Sequence, residues 1–195
     1  FIYQGQEIGM TNIQLKSIDE FKDMMTFNNE KTFAKLGIKG EKFLKMANAG
    51  SRENSRTPVQ WDDSDFAGFS TVEPWFNLNE NYKEINVAQA EADENSLLNY
   101  YRKLLKFRKE HEVAIYGDFK QYYENSDKLF VYERTLDNEK ILVVCSFSEK
   151  CVNFEAPEGY DLKNGELVLS NYRLNPVTHN SFVTRPYECR VYYFK

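Results

Sequence analysis

The chain has 195 residues, 42% hydrophobic and 15% aromatic, which is enough to bury a core as one large domain or two small ones. Charged residues make up 28%, the net charge is −5, and neither sign forms a block, which argues against nucleic acid or polyanions as partners. No apolar run approaches the roughly 20 residues of a bilayer span and no signal-peptide pattern opens the chain, so we expect a soluble protein in the cytoplasm.

The opening residues are apolar, β-branched and aromatic. Residues 1–4 therefore predict the end of a buried strand, and Gly5 and Gly9 punctuate a loop that runs to about Asn12. The chain has no initial methionine and begins inside this run. We expect it to be the end part of a larger protein.

Two helical stretches follow the loop. Ser17 can cap a helix and Glu20 sits three residues later, as in a capping box, so a helix is predicted to begin at Ser17. Residues 31–47 carry a broken apolar stripe interrupted by Gly37 and Gly40, which predicts two short helices rather than one.

A long irregular segment separates these helices from the next one. Residues 50–90 have no sustained period and carry prolines, glycines and scattered aromatics, and so long a loop in a compact protein is usually functional. Residues 93–112 then show apolar side chains at helical spacing on one face, with charged residues elsewhere, which predicts an amphipathic helix.

After Val113 the sequence changes to short runs of strand formers separated by turn residues. This spacing predicts a small antiparallel β-sandwich. We therefore expect a domain boundary near Val113, with domains at 1–112 and 113–195. The predicted strands cover residues 119–123, 129–134, 141–147, 151–154, 167–169, 181–184 and 189–194.

Several chemistries have no support in this sequence. His111 and His179 lie far apart and no ligand pair shows tight spacing, so neither a metal nor another cofactor is expected. There is no phosphate-binding glycine loop, no serine elbow, and no cysteine with a plausible catalytic histidine partner in the same domain. Strand-forming contexts surround the three cysteines, which predicts reduced, buried thiols: Cys145, Cys151 and Cys189.

The densest chemistry lies in the loop at residues 52–62, RENSRTPVQWD. Guanidinium and amide groups beside an indole ring are typical of a cavity that holds a sugar, because they combine fixed hydrogen bonds with a flat apolar wall. Arg52 follows Gly50, where the backbone can approach a cavity closely. Arg52 is therefore the candidate for ligand contact.

Structural roles are the preferred interpretation for the other members of this loop. We expect Arg56 to tie the loop to backbone carbonyls and Trp61 to be an ordinary core residue. Asp62 and Asp63 are expected to be solvated or to cap a turn.

Three residues at the end of the predicted first strand occupy the position where α/β barrels place their sites. These are Tyr3, Gln4 and Glu7. For each of them a functional and a structural role are equally supported by the sequence.

Five segments together resemble the C-terminal third of the oligo-1,6-glucosidases. They are FIYQGQEIGMTN at 1–12, RENSRTPVQWD at 52–62, AGF at 67–69, EPW at 73–75 and NYKEINV at 81–87. These enzymes are α-amylase superfamily glycoside hydrolases, alongside dextran glucosidase, trehalose-6-phosphate hydrolase and sucrose isomerase. The resemblance runs over the whole chain.

The resemblance implies the end of a (β/α)8 barrel followed by a C-terminal β-sandwich. Residues 1–4 would end the eighth barrel strand, residues 93–112 would be the eighth barrel helix, and 113–195 the sandwich. Arg52 would correspond to the arginine that hydrogen-bonds the non-reducing glucose. The remainder of the barrel, in the same parent chain or as a partner, and an oligosaccharide substrate are the implied partners.

The three essential carboxyl groups of the family precede the segment equivalent to Phe1, so no catalytic residue is nominated here. Two positions depart from the family pattern. Gln6 stands where relatives usually have glutamate, and Met25 stands where relatives carry a glutamate near the substrate. A thioether cannot accept strong hydrogen bonds from a sugar, so Met25 changes what can be inferred about the leaving group.

Two hypotheses from different classes follow. The first is the C-terminal portion of a retaining α-glucosidase acting on α-1,6-linked short oligosaccharides, inactive alone, with a trehalose-6-phosphate hydrolase or sucrose isomerase as variants. The second is a non-catalytic carbohydrate-binding or assembly module in which the β-sandwich binds. It has less support, because the sandwich shows no run of exposed aromatics separable from core.

Overall fold

In the computed structural model, which describes residues 1–173 and 179–195, the chain divides into two compact units at residues 1–101 and 102–195. Helix α4 itself runs across this division, so the domain boundary near Val113 stays a prediction. No helix in the described ranges is long and apolar enough to cross a membrane. The helices are α1 (Met24–Lys35), α2 (Gly40–Gly50), α3 (Val87–Ala92), α4 (Leu97–Glu110) and α5 (Val113–Tyr116).

The opening residues were predicted to end a strand, but they form no strand in the structure. Residues 1–3 pair with no strand in the described part of the chain, and their side chains are exposed. A strand needs a neighbour to satisfy its backbone hydrogen bonds, so an apolar, β-branched run alone does not form one.

The first helix begins later than predicted. Ser17 does cap a turn, accepting from the Asp19 backbone N–H at 3.2 Å, but that turn is a single 3-10 segment. The backbone N–H groups of Lys22 and Asp23 donate to the Glu53 carboxylate instead of to helix carbonyls. The chain is therefore extended at this point, and α1 begins only at Met24.

Residues 31–47 were predicted to hold two short helices, and the predicted break is present at Gly37, with its φ of +79°. Before the break, however, these residues only end α1, which began at Met24, and after it they form most of α2. The two helices pack around a small apolar core. Asn48 of α2 is buried beside this core and bonds the Leu15 backbone twice, accepting at 3.0 Å and donating at 2.8 Å, as a neighbouring strand would. The core residues are Ile13, Leu15, Phe21, Phe43 and Ala47.

The segment between α2 and α3 has no long element, as the sequence predicted. Short 3-10 turns at Arg52–Ser55, Asp65–Gly68 and Glu80–Lys83 give it local structure. Buried amide side chains complete its backbone hydrogen bonds. Asn79 donates to the Thr11 carbonyl at 3.0 Å, and Asn86 caps α3 by accepting from the Gln89 N–H at 2.8 Å.

The amphipathic helix predicted at residues 93–112 is α4, which is shorter at both ends. Asp93 closes a turn before the helix, accepting from the Asn95 N–H at 2.9 Å through its side chain and from Ser96 through its backbone. Helical periodicity alone could not distinguish this turn from a first helical turn.

Residues 118–173 and 179–195 form two antiparallel sheets, in agreement with the predicted sandwich. The larger sheet has the order β1-β2-β3-β7-β5, and β4 pairs with β6. Every predicted strand is present within two residues at each end. The strands are β1 (Asp118–Tyr122), β2 (Leu129–Leu136), β3 (Glu139–Ser146), β4 (Val152–Glu155), β5 (Glu166–Ser170), β6 (Ser181–Thr184) and β7 (Cys189–Phe194).

Alternate residues of β2, β3, β4 and β7, together with Leu162 from the 3-10 turn before β5, form an apolar core. Its members are Leu129, Val131, Leu142, Val144, Phe154, Leu162 and Tyr192. A buried ion pair lies at the start of β7, where Arg190 Nε donates to Glu188 Oε1 at 2.7 Å. The Arg190 guanidinium also lies 3.6 Å from the centre of the Phe182 ring, so this buried charge is both paired and covered.

Valine at two positions of the sandwich tests this assignment of the core. Val144 is fully buried, whereas Val183 is 57% exposed. Val144→Ala should lower the free energy of unfolding by about 2 kcal/mol, because it removes buried methyl groups and leaves a cavity. Val183→Ala should change it by less than about 0.5 kcal/mol. Urea unfolding followed by circular dichroism measures both changes. Equal effects would contradict the assignment of Val144 to the core and of Val183 to the surface.

Candidate functional site

The arginine loop begins directly after α2. Ser51 accepts a hydrogen bond from the Glu53 backbone N–H at 3.1 Å and so starts the 3-10 turn Arg52–Ser55. Ser55 closes the same turn by donating from its hydroxyl to the Arg52 carbonyl at 2.9 Å. These local bonds fix the backbone from which Arg52 projects.

The Arg52 side chain makes a bidentate ion pair with Asp23. Its Nε donates to Asp23 Oδ2 at 2.9 Å and its Nη2 donates to Oδ1 at 2.8 Å. The Asp23 side chain is only 4% exposed, whereas the Arg52 side chain is 52% exposed. One side of the guanidinium is therefore fixed by a buried carboxylate while the rest faces solvent.

Asp23 binds more than Arg52. Its Oδ1 also accepts from the Met25 backbone N–H at 2.9 Å, which caps the N-terminus of α1. Arg56 Nη1 donates to Oδ2 at 3.2 Å. A single carboxylate thus joins the start of a helix to two arginines about thirty residues later.

Arg56 was expected to tie the loop to backbone carbonyls, and the predicted hydrogen-bond partner is wrong. The structure gives it the Asp23 carboxylate instead. The physical reason is that α1 and the loop converge, which makes a buried negative charge available to the guanidinium. Its role as an anchor of the loop agrees with the prediction.

Glu53 makes the opposite connection between the same two segments. Its buried carboxylate accepts the backbone N–H groups of Lys22 and Asp23. Sequence reasoning missed both Asp23 and Glu53. Asp23 could have been noticed as a capping residue directly before a helical stretch, but no signal in the sequence marks Glu53 as buried.

The electrostatics of this cluster follow from its contacts. The Arg52 hydrogen bonds lower the pKa of Asp23 first of all, and the Met25 N–H lowers it further, against the opposing effect of burial. The same pair raises the pKa of Arg52 above its usual value. Asp23 is therefore a permanent carboxylate near neutral pH and a poor proton donor.

Trp61 was expected to be a core residue, and this is wrong, because it is 50% exposed. Its backbone is held instead, with the Trp61 N–H donating to the Ala67 carbonyl at 2.9 Å. The capping role predicted for Asp62 is confirmed, since Oδ1 accepts from the Ser64 N–H at 2.9 Å and from its hydroxyl, which lowers the pKa of Asp62. Asp63 is exposed, as predicted.

A second feature joins the opening residues to the arginine loop. The Tyr3 hydroxyl donates to the Ser55 carbonyl at 3.0 Å. Tyr3 and Gln4 are among the residues that line a cavity of about 300 Å³. Its walls are mostly polar or glycine: Tyr3, Gln4, Gly5, Gln6, Met10, Thr11, Asn12, Asn54, Ser55 and Thr57.

Gln6, Glu7 and Met25 have distinct environments. Gln6 Oε1 accepts from the Tyr3 backbone N–H at 2.8 Å, so this amide stabilises its own turn. Glu7 Oε2 is buried and has no hydrogen-bond partner among residues 1–173 and 179–195. Met25 is 47% exposed on α1, two residues after Asp23, which Arg52 binds. In the same described ranges, no three His, Cys, Asp or Glu side chains are grouped to hold a metal ion.

Two known protein families match consecutive parts of this chain. The family described as Alpha amylase, catalytic domain, matches residues 1–117, and the Maltogenic Amylase, C-terminal domain, matches residues 119–191. The chain therefore belongs to the α-amylase family of glycoside hydrolases. The expected fold class, the last part of a (β/α)8 barrel followed by a β-sandwich, is confirmed.

Its relatives include several oligo-1,6-glucosidases. The chain is 42% identical to that of Halalkalibacterium halodurans over 193 residues and 43% identical to that of Bacillus cereus over 198 residues. These matches cover 98% and 100% of this chain but 34% and 35% of the two relatives. The chain thus spans about a third of the length of the enzymes it matches.

Solved structures give the same relationship. Trehalose-6-phosphate hydrolase from Bacillus licheniformis has a TM-score of 0.92 and 34% identity, covering 98% of this chain and 35% of that one. The isomaltulose synthase from Protaminobacter rubrum has a TM-score of 0.90 and 35% identity, covering 99% and 35%. One fold thus carries hydrolases and an isomaltulose synthase.

The depressed pKa of Asp23 predicts a specific acid sensitivity. The folded state holds this carboxylate deprotonated more strongly than the unfolded chain, in which the pKa is about 3.9. Its contribution to stability is therefore complete above that value and is lost as the pH falls through the lower, folded pKa. Urea unfolding at pH 7 and at about pH 3 should show this loss.

Asp23→Asn is the variant that isolates the effect. It should be less stable than the unmodified chain at pH 7 and should lose less stability on acidification, because the titrating group is gone. Asp63→Asn, at an exposed position, is the control and should follow the unmodified chain. A stability difference between Asp23→Asn and the unmodified chain that does not vary with pH would contradict this account.

Proposed function

We propose that this chain is the C-terminal portion of a retaining α-glucosidase that hydrolyses α-1,6-linked short oligosaccharides in cytoplasmic carbohydrate catabolism. The observation that carries the proposal is the half-exposed Arg52 guanidinium, fixed on one side by a buried carboxylate. In this proposal Arg52 orients the sugar and this chain contributes part of the pocket. The carboxyl groups that cleave the bond come from the rest of the parent enzyme.

The geometry of Arg52 suits this role. Asp23 takes the Nε hydrogen and one Nη2 hydrogen, and an arginine has five N–H donors. The remaining donors, on Nη1 and on the far side of Nη2, have no hydrogen-bond acceptor within the part of the chain that the structure describes. A rigid donor fork that projects from a buried anchor is well suited to fixing sugar hydroxyls.

The carboxylates near Arg52 do not suit catalysis. A retaining mechanism needs two carboxyl groups about 5 to 5.5 Å apart across the glycosidic bond, one as nucleophile and one as acid and then base. Asp23 is engaged with two guanidinium groups and a backbone N–H, and Glu53 is buried against two backbone N–H groups. Either would have to abandon structural bonds to react.

The first unit has exposed apolar side chains that a further polypeptide segment would cover. Phe1 is fully exposed, and Ile2, Tyr3 and Leu97 are about half exposed. Apolar side chains of this size are usually covered in a stable protein. We propose that the remainder of the barrel covers them, as part of the same parent chain or as a separate polypeptide.

The substrate class rests on the relatives. Oligo-1,6-glucosidases predominate among the most similar enzymes, and trehalose-6-phosphate hydrolase and isomaltulose synthases share the fold. A phosphorylated substrate calls for a cluster of basic side chains, and the arginines of the loop are instead paired with Asp23. We therefore favour a neutral α-1,6-linked glucoside.

The first test compares this chain with its parent protein. The chain alone should not hydrolyse p-nitrophenyl α-glucoside, whereas the complete parent should hydrolyse it and should release glucose from isomaltose. Sucrose and trehalose-6-phosphate are the alternative substrates. Turnover by the isolated chain would overturn the division of roles, and preference for either alternative substrate would overturn the substrate class.

The second test uses two arginines that share one anchor. In the parent enzyme Arg52→Lys should lower kcat/KM by about 10- to 100-fold, since a lysine cannot keep the bidentate contact and still present donors to the sugar. Arg56→Lys is the matched control and should lower activity less than threefold, because it removes only a loop anchor. Equal losses would contradict the role of Arg52, and circular dichroism checks that both variants fold.

A further inference from the structure

Two cysteines lie directly opposite each other in the larger sheet. Cys145 of β3 pairs in register with Cys189 of β7, and their Sγ atoms are 3.2 Å apart. The next pair along the ladder is hydrogen-bonded, since the Ser146 N–H donates to the Glu188 carbonyl at 2.8 Å. Because such pairs alternate, Cys145 and Cys189 form a non-hydrogen-bonded pair, in which the side chains approach most closely.

The separation of the two sulfur atoms is close to that of a disulfide. A disulfide needs Cβ atoms about 3.5–4.5 Å apart and an S–S bond of about 2.05 Å. Opposed residues of a non-hydrogen-bonded pair have Cα atoms about 4.5 Å apart, so the sulfur atoms need to move only about 1 Å closer. Cys145 and Cys189 are the last pair of the β3–β7 register, directly before the hydrogen-bonded contact of Ser146 with Glu188.

Packing as two small apolar side chains is the alternative explanation for these residues. Both cysteines are only partly buried, however, unlike the fully buried apolar residues of the core. The third cysteine, Cys151, is exposed and precedes β4, outside this strand pair. The chain therefore contains one preorganised pair and one separate thiol.

We propose that Cys145 and Cys189 are a reversible dithiol–disulfide site that links β3 to β7 under oxidising conditions. With a low-molecular-weight disulfide such as oxidised glutathione, one thiolate attacks the disulfide and releases one glutathione thiol. The second cysteine then displaces the other glutathione. The two cysteines lose two protons and two electrons, and two molecules of reduced glutathione carry them.

The bond would change the behaviour of the sandwich. It closes a loop that contains β4, β5 and β6, and a cross-link of this kind restricts the unfolded chain and so stabilises the folded state. In a reducing compartment the pair stays as two thiols, and disulfides formed there are usually transient. The site therefore responds to the redox environment and is independent of the proposed glucosidase activity.

The pair should be tested at equilibrium, because oxidation is slow at neutral pH. A hydrogen bond with Cys189 and partial burial raise the pKa of the Cys145 thiol, and the thiolate is the reactive form. The protein that carries this chain should be equilibrated overnight with oxidised glutathione, alkylated and digested. Mass spectrometry should then find the Cys145 peptide joined to the Cys189 peptide, and dithiothreitol should separate them.

Variants provide the controls. Cys151→Ser should still form the bond, and its melting temperature should rise by roughly 5–10 °C on oxidation. Cys145→Ser should form no bond, and Cys189 should then carry glutathione. Separate modification of Cys145 and Cys189 in the folded, unmodified protein would overturn the proposal, as would a bond from either of them to Cys151. This measurement needs no variant to fold.

Discussion

The buried carboxylate of Asp23 is the interaction on which the candidate site depends. It caps α1 through the Met25 N–H, holds Arg52 by two hydrogen bonds and holds Arg56 by a third. A buried carboxylate would be unfavourable alone, and these partners compensate for its lost hydration. The conformation of the arginine loop is thus tied to the position of one helix.

Glu53 makes the connection reciprocal. While Asp23 of the first segment binds arginines of the loop, Glu53 of the loop binds the backbone that precedes α1. Each segment therefore supplies a buried negative charge to donors on the other. This exchange holds the Arg52 backbone and the Arg52 side chain from two directions, and such preorganisation limits the cost of orienting a ligand.

Some of this structure could be predicted from the sequence, for identifiable reasons. Alternating strand formers and turn residues located the strands of the sandwich, because burial on one face imposes a period of two. The loop at residues 52–62 stood out by its chemical density. Its binding partners did not, because Asp23 lies about thirty residues before Arg52 and no local pattern joins them.

The errors have a common cause. Ser17 satisfies the local rule for a helix start, but Glu53 takes the next backbone donors and delays α1. Trp61 is a large aromatic residue of the kind that usually packs in a core. Nothing in the neighbouring sequence shows whether other side chains cover it. The register that brings Cys145 to Cys189 was also hidden, since it depends on a strand pair that is distant in sequence. Long-range contacts decide these cases.

The central claim is that Asp23 presents Arg52 to a sugar. A crystal structure of the parent enzyme with bound glucose tests it most directly. We expect Nη1 or Nη2 of Arg52 to lie within about 3 Å of a glucose hydroxyl while both hydrogen bonds to Asp23 remain. A sugar bound away from Arg52, or an Arg52 that leaves Asp23 to reach the sugar, would contradict the account.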